Sequence, residues 1–165
     1  MCGIVGYVGQ RPVQEILLAG LEKLEYRGYD SAGVSVLADG EISSVRAVGN
    51  LSKLRAAIGS SGAEEAEAAP VATIARPATS GIGHTRWATH GRVTESNAHP
   101  HFDTSDRVHV VVNGIVENYL ALKRRLSDTG ADFTSETDAE VIAHLVSHHM
   151  AVSYTHLTLP TICSV

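Results

Sequence analysis

Asp39-Gly40, standing between Val34-Ser-Val36-Leu37 and Glu41-Ile42, is the strongest local instruction in the chain. A tight two-residue turn of this kind needs positive φ at both central positions, which Asp and Gly tolerate, and its twist suits antiparallel strands. The chain is therefore expected to double back here, one strand arriving through Val36 and the next leaving through Ile42 and Val45. Other strand signals flank helical ones. Gly3 to Val8 is short, apolar and β-branched, and reads as a buried strand. Ile82 to Trp87 and Val108 to Val112 (VHVVV) read likewise as strands. Pro12 suits the first turn of a helix whose apolar stripe is Val13, Leu17, Leu21 and Leu24, broadened by Ile16 and Leu18. Asn50 is placed to cap a short helix through Leu51, Leu54 and Ile58. A further helix is expected through Ile115, Tyr119, Leu122 and Leu126. The capping-box pattern Thr137-Asp-Ala-Glu140 precedes a last one through Val141, Ile142, Leu145 and Val146. Strands in pairs with helices between the pairs, and no internal repeat, point to layered α+β architecture rather than a βαβ alternation.

Two stretches stand outside this pattern. Residues 60–80 (SSGAEEAEAAPVATIARPATS) are rich in Ala, Glu, Ser and Pro without a sustained apolar period, and read as a surface insertion. Residues 152–165 are Thr-rich, with neither helical period nor clean alternation. They read as a non-native tail resembling translated sequencing-adapter read-through, so Cys163 is given no role. The domain is accordingly expected to span 1–151. YRGYDSAG, at 26–33, is a loop by composition.

Composition narrows the function classes. The 165 residues suffice for one domain or part of one, and 44% hydrophobic with 19% charged residues is ordinary for a globular chain. A net charge of -5, with no clustered Lys and Arg, speaks against a nucleic-acid partner. No apolar run approaches the roughly 18–20 residues that cross a bilayer, so no membrane partner is expected. Two cysteines at opposite ends form no disulfide framework, and a reducing cytoplasm is the expected setting.

Four places could carry chemistry. Cys2 follows the initiator methionine; once that is trimmed, a thiol and a free α-amine share one Cα, a nucleophile beside its own base, or else an incidental small hydrophobe or lipidation site. GHTRWATHG, at 83–91, sets Arg86 among Trp87, Thr89, His84 and His90 between glycines. A guanidinium there can hold a carboxylate by two hydrogen bonds. The alternative is a polar turn with a surface ion pair, and the aromatic neighbours favour the binding loop. Asn113-Gly114, where the VHVVV strand gives way to a helix, offers a side-chain amide beside a backbone N–H, a two-donor oxyanion hole or simply a turn. Asp138, in a first helical turn, could receive a ligand ammonium or merely stabilise the helix. His84, His90, His99 and His101 raise metal binding as a rival, but no HExxH motif, paired Cys or fixed His–carboxylate spacing accompanies them, and no metal is assigned.

Taken together, CGIVGYVG, LEKLEYRGYDSAGV, GHTRWATHGRVTESNAHPH, NGIVENY and SETDAEVIAHL resemble the glutaminase domain of the class II glutamine amidotransferases, members of the N-terminal-nucleophile hydrolases. RWATHG and NGIVENY together resemble the aminosugar branch more than the purine-pathway branch. The resemblance implies a four-layer αββα sandwich, incomplete at the C-terminus because the chain stops before the strands that close it. It implies Cys2 as nucleophile with its own amine as base, Asn113 and Gly114 as oxyanion hole, Arg86 on the α-carboxylate of glutamine and Asp138 on its α-ammonium. Trp87, Thr89 and His90 would lie in the loop closing over glutamine, with Arg27 supporting the Cys2 terminus and His99 in a supporting place after that loop. No cofactor is implied. Ammonia would pass to a sugar-isomerase domain, absent here, that aminates fructose 6-phosphate, and the parent enzyme would be a homo-oligomer. The competing reading is an inactive remnant that at most binds glutamine.

Overall fold

The computed structural model describes residues 2–60, 78–89 and 91–152, without the side chains of 60, 151 and 152. The expected reading of 60–80 as an insertion falls largely, and that of 152–165 almost wholly, outside the described residues. Four antiparallel strands make the principal sheet: β1 (Gly3–Val8), β2 (Ser31–Ala38), β3 (Glu41–Val48) and β4 (Ser80–Arg86), in the order β1-β4-β2-β3. The hairpin forms where Asp39-Gly40 demands it, with φ of 51° and 85° at the two turn residues and Ala38 facing Glu41.

Period-two alternation divides this sheet into two unlike faces. Ala32, Val34, Val36 and Val45 face helix α1 (Val13–Leu24) and helix α2 (Leu51–Ser60), where Val13, Leu17, Leu21, Leu51 and Leu54 complete a buried apolar cluster. The opposite face carries Gly33, Ser35, His84 and Arg86, and a second layer lies upon it. That layer is the two-stranded sheet of β5 (His101–Phe102) and β6 (His109–Val110), held by Ser35 Oγ to His109 Nδ1 at 2.8 Å and by the Arg46 guanidinium over the Phe102 ring at 4.9 Å. Helix α4 (Glu140–Val152) covers β5 and β6, and helix α3 (Tyr119–Asp128) packs beside α4. Helix, sheet, sheet, helix is the αββα layering that the motifs imply.

Gly33 permits the two sheets to meet, since a Cβ at this position would collide with the carbonyl oxygen of His99. Several local readings change. β1 is an edge strand with one wet face rather than a buried one, and Val8 is 85% exposed, because β1 pairs only with β4 among the described residues. The loop read over YRGYDSAG ends early: a 3-10 turn occupies Glu25–Arg27, and Ser31 already belongs to β2. The VHVVV segment pairs only at His109 and Val110, against the two residues of β5, since no further described strand offers it a ladder. Helix α3 starts at Tyr119, leaving Ile115 outside it and 79% exposed. Asn50 does occupy the start of α2, but the first amide of that helix, Leu51 N–H, donates to Glu25 Oε1 at 2.8 Å. Helix α2 runs to Ser60 and β4 begins at Ser80, with Val13 N–H donating to Ala78 O and Gly9 N–H to Thr79 O. Among the described residues no helix is long and apolar enough to cross a membrane.

The α1 stripe gives a direct test of this layering. Leu17 is fully buried against the sheet, so Leu17→Ala should remove roughly 2–5 kcal/mol of stability. Val8→Ala on the wet edge should change it by less than about 0.5 kcal/mol. Urea unfolding of the two variants beside the parent chain measures both; equal losses would contradict the facing assigned to α1 and β1.

Candidate active site

Antiparallel register brings the chain's beginning to the end of β4. Gly3 faces Thr85, so Cys2, one residue earlier, lies level with Arg86 and Trp87. The Trp87 N–H donates to Cys2 Sγ at 3.2 Å, and the thiol lies 3.6 Å from Trp87 O. Gly28 backs this junction, where a Cβ would stand 2.9 Å from the Arg86 carbonyl carbon. Asp30 braces it: Asp30 N–H donates to Arg86 O, and Ala88 N–H donates to Asp30 Oδ2 at 2.8 Å.

A cavity of about 400 Å³ opens in front of Cys2, within the size range of small-ligand sites. Asn113 and Gly114 line one side, and Arg86, Trp87 and Thr89 line another. Asp138, Arg27 and His99 complete the wall. Every residue to which the resemblance gives a role, except His90, therefore meets at one hollow; His90 lies outside the described residues. Asn113 Nδ2 donates to the Cys2 carbonyl oxygen at 3.1 Å, tying the turn to the N-terminal strand.

Two opposite charges are fixed in the wall. Arg86 is 4% exposed and donates from Nη1 to Arg92 O at 3.0 Å and from Nη2 to Gly91 O at 3.3 Å, holding the loop after β4. Burial draws its pKa down, while Cys2, Asp30 and Asp138 act in the opposite sense. Asp138 is buried, and its Oδ2 accepts the Val116 N–H at 2.6 Å. It lies ahead of α4 rather than inside its first turn, because α4 begins at Glu140. Asn113-Gly114 likewise stands clear of a helix terminus, with α3 starting at Tyr119. Its donors are an amide side chain and a loop N–H, with no aligned helix dipole behind them.

The capping box expected at Thr137 does not form. Thr137 Oγ1 pairs with His101 Nε2 at 2.8 Å, and Glu140 turns to Thr134 and Ser135, accepting their backbone N–H groups at 2.7 and 2.8 Å. Burial alone would raise the Glu140 carboxyl, but His144, Ser135 and those amides outweigh it and hold it at about 2.

Several site-forming residues escape a reading of the sequence. Asn97, almost fully buried, accepts Glu136 N–H at 2.8 Å through Oδ1 and donates from Nδ2 to Arg92 O and Glu136 Oε2, both at 3.1 Å. It pins the Arg86 loop to the segment that carries Asp138. Its place in the stretch GRVTESNAHPH assigns it no role. The histidines stack: His84 lies over His99 with centroids 4.2 Å apart, and His99 meets His101 at 4.4 Å. Among the described residues no group of three or more His, Cys, Asp and Glu side chains is arranged to hold a metal ion. Burial pushes His84 and His101 down to about 4 and His99 lower still, so all three are neutral near pH 7.

The fold, an αββα sandwich with a cysteine one residue ahead of its edge strand β1, is that of solved amidotransferases. Among solved structures, the glutamine phosphoribosylpyrophosphate amidotransferase of B. subtilis, complexed with ADP and GMP, superimposes with a TM-score of 0.65 at 24% identity, over 89% of this chain and 29% of that one. The allosteric regulatory enzyme of purine biosynthesis does so with a TM-score of 0.67, also at 24% identity, over 89% and 29% of the two chains. Residues 71–157 match the glutamine amidotransferase domain family, and the chain belongs to that family. The glutamine–fructose-6-phosphate aminotransferase (isomerizing) of Nostoc sp. is 54% identical over 147 residues, 89% of this chain and 21% of that protein. The protein of the same name from Streptomyces coelicolor is 50% identical over 147 residues, 89% of this chain and 22% of its own length. The Mycobacterium tuberculosis one is 46% identical over 147 residues, with the same shares. The chain thus spans about a fifth of these relatives.

The neutral histidines predict a pH dependence. A histidine whose folded pKa lies near 4 rather than 6.5 binds its proton more readily unfolded, so stability falls as pH drops through that window. Urea unfolding at steps from pH 7 to 4.5 should show a loss of several kcal/mol in order of magnitude. The loss should shrink in His101→Gln; an unchanged pH slope in that variant would contradict the burial of a neutral His101.

Proposed function

We propose that this domain hydrolyses the side-chain amide of glutamine to glutamate and ammonia, with Cys2 as nucleophile. The reading is carried by the convergence of the Cys2 thiol, the Asn113-Gly114 donors, the Arg86 guanidinium and the Asp138 carboxylate on one cavity. An amino-acid zwitterion needs a cation for its carboxylate and an anion for its ammonium, and Arg86 and Asp138 supply the pair. With the α-end held between them, the side chain of glutamine extends toward Cys2.

Removal of Met1 exposes the α-amine of Cys2. That amine takes the thiol proton as Sγ attacks the δ-carbon, and the negative charge that gathers on the amide oxygen is met by Asn113 Nδ2–H and Gly114 N–H. The amine then returns the proton to the departing nitrogen, ammonia leaves, and a γ-glutamyl thioester remains for water to cleave to glutamate. Trp87, Thr89 and His90 belong to the loop over the substrate, and Arg27 and His99 support the walls. The domain so defined covers 1–151, with 60–80 as an insertion and 152–165 foreign to it. By its kinship with the aminotransferases named above, its ammonia serves amination of fructose 6-phosphate in a separate domain, in a cytoplasmic homo-oligomer. A remnant that binds glutamine without turning it over is the outcome that would replace this reading.

Glutamate release by the purified chain tests it. Cys2→Ala should abolish release, and one residue inserted between Met1 and Cys2 should do nearly the same by displacing the amine. Asn113→Ala should lower kcat by roughly 10²–10³-fold. Full activity in the extended protein, or glutamine binding without any glutamate from the parent chain, would overturn the mechanism.

A further inference from the structure

Asn113 is an exposed residue on a stretch without regular structure, after β6 ends at Val110 and before α3 begins at Tyr119. An asparagine there can present its amide either way round, and only one orientation aims N–H donors at the Cys2 side. That orientation is held from two sides, by the Cys2 carbonyl in front and by His84 behind. Asn113 Oδ1 lies 2.8 Å from His84 Nε2, and Oδ1 can only accept, so Nε2 must carry the proton. The amide nitrogen is thereby turned to the Cys2 side, where it meets the Cys2 carbonyl oxygen at 3.1 Å. The flipped amide would set two acceptors against each other at Cys2 and two donors against each other at His84. We infer that His84 is a positioning residue for the glutaminase reaction, fixing through its Nε2–H the face that Asn113 turns to the substrate. This rests on the glutaminase reading above.

The surroundings of His84 suit that duty. It has no solvent exposure, and its row on β4 places it between Ile4 and Gly33. The missing side chain at Gly33 lets the His99 backbone descend onto the sheet, and the His99 ring stacks on His84 at 4.2 Å. The ring plane is therefore set by packing, independently of any ligand. Its Nδ1 is buried without a hydrogen-bond partner. A bare ring nitrogen there leaves one acceptor unpaired, whereas a protonated Nδ1 would strand a donor and also leave Asn113 Oδ1 facing a lone pair. Burial keeps the imidazole neutral, so it carries one proton only, and Asn113 Oδ1 places that proton on Nε2. His84 does not line the cavity and acts only through Asn113.

Two measurements on the full chain test this. The first is the tautomer of His84 from ¹⁵N ring shifts at pH 7, with the Asn113 side-chain amide resonances followed in variants. The second is steady-state glutamine hydrolysis by His84→Phe, which keeps a ring but no donor, and His84→Gln, which restores an N–H. An Nε2–H tautomer is expected. His84→Phe should lower kcat by roughly 10–100-fold, short of losing the oxyanion donor itself, with KM within about twofold of the parent. His84→Gln should recover most of the loss, and the Asn113 amide resonances should move in the Phe variant but not in the Gln variant. An Nδ1–H tautomer overturns the inference, as do equal losses in the two variants or a KM that rises in step with the fall in kcat. If His84→Phe does not fold, the tautomer and the Gln variant still decide. A parent chain that releases no glutamate defeats the glutaminase reading alone, since tautomer and amide resonances then judge the positioning of Asn113 by themselves.

Discussion

The pairing of β4 with β1 on one side and β2 on the other is the constraint from which the rest of the molecule follows. A strand bonded on both edges cannot slip by one residue without turning every side chain to the wrong face. Its register aligns Gly3 with Thr85 and Gly33 with His84. The first alignment delivers Cys2 to the Trp87 backbone; the second places His84 under the second sheet. The same alternation that sends Gly83 toward Leu21 sends His84 and Arg86 away from α1. One ladder thus separates an apolar core from a polar cavity, with no side chain among the described residues serving both.

The polar half of the molecule is costly to build, and its hydrogen bonds show how the cost is met. Arg86, Asp138, Glu140 and the stacked histidines are all buried, and isolated buried charges or polar groups are strongly disfavoured. The histidines meet the problem by giving up their charge. Glu140 keeps its charge by collecting the backbone N–H groups of Thr134 and Ser135, and Asp138 accepts the backbone N–H of Val116. Arg86 is held by the carbonyls of its own loop at Gly91 and Arg92. The charges facing the cavity are therefore preorganised by backbone groups, which cannot rotate away as side chains do.

The parts legible in the sequence are those governed by short-range rules. Asp39-Gly40 announces its hairpin, and the Val13, Leu17, Leu21 stripe announces the buried face of α1, because turn geometry and helical period act within a few residues. Cys2, Arg86, Asn113 and Asp138 stood out as chemistry, and the fold gathers them. What could not be read depended on partners distant in sequence. VHVVV has the composition of a long strand, yet pairs at two residues, since pairing needs a neighbour that composition does not supply. Thr137 and Glu140 have capping-box spacing, yet His101 and Ser135 claim them first. Asn97 lies in a quoted stretch that gives it no role, and its bonds to Arg92 and Glu136 exist only once the loop has folded back.

The residues whose roles could not be read share a position behind the cavity wall, His84 and His101 one bond from it and Asn97 two. Asn97 holds the loop that carries Arg86's carbonyl partners, His101 holds Thr137 beside Asp138, and His84 holds Asn113. A side chain that touches a ligand must have suitable chemistry, so residue type alone can suggest it. A side chain that aims another needs only one correctly directed donor or acceptor, which many residue types can provide. Asparagine and histidine serve here because each offers a rigid planar group with donor and acceptor on defined edges. The tolerance for misplacement in a reacting geometry is small, so the 2.8 Å bond that aims Asn113 matters to the site although it touches no substrate. The same planar groups that make the site exacting therefore leave its support invisible until the second sheet is laid on the first.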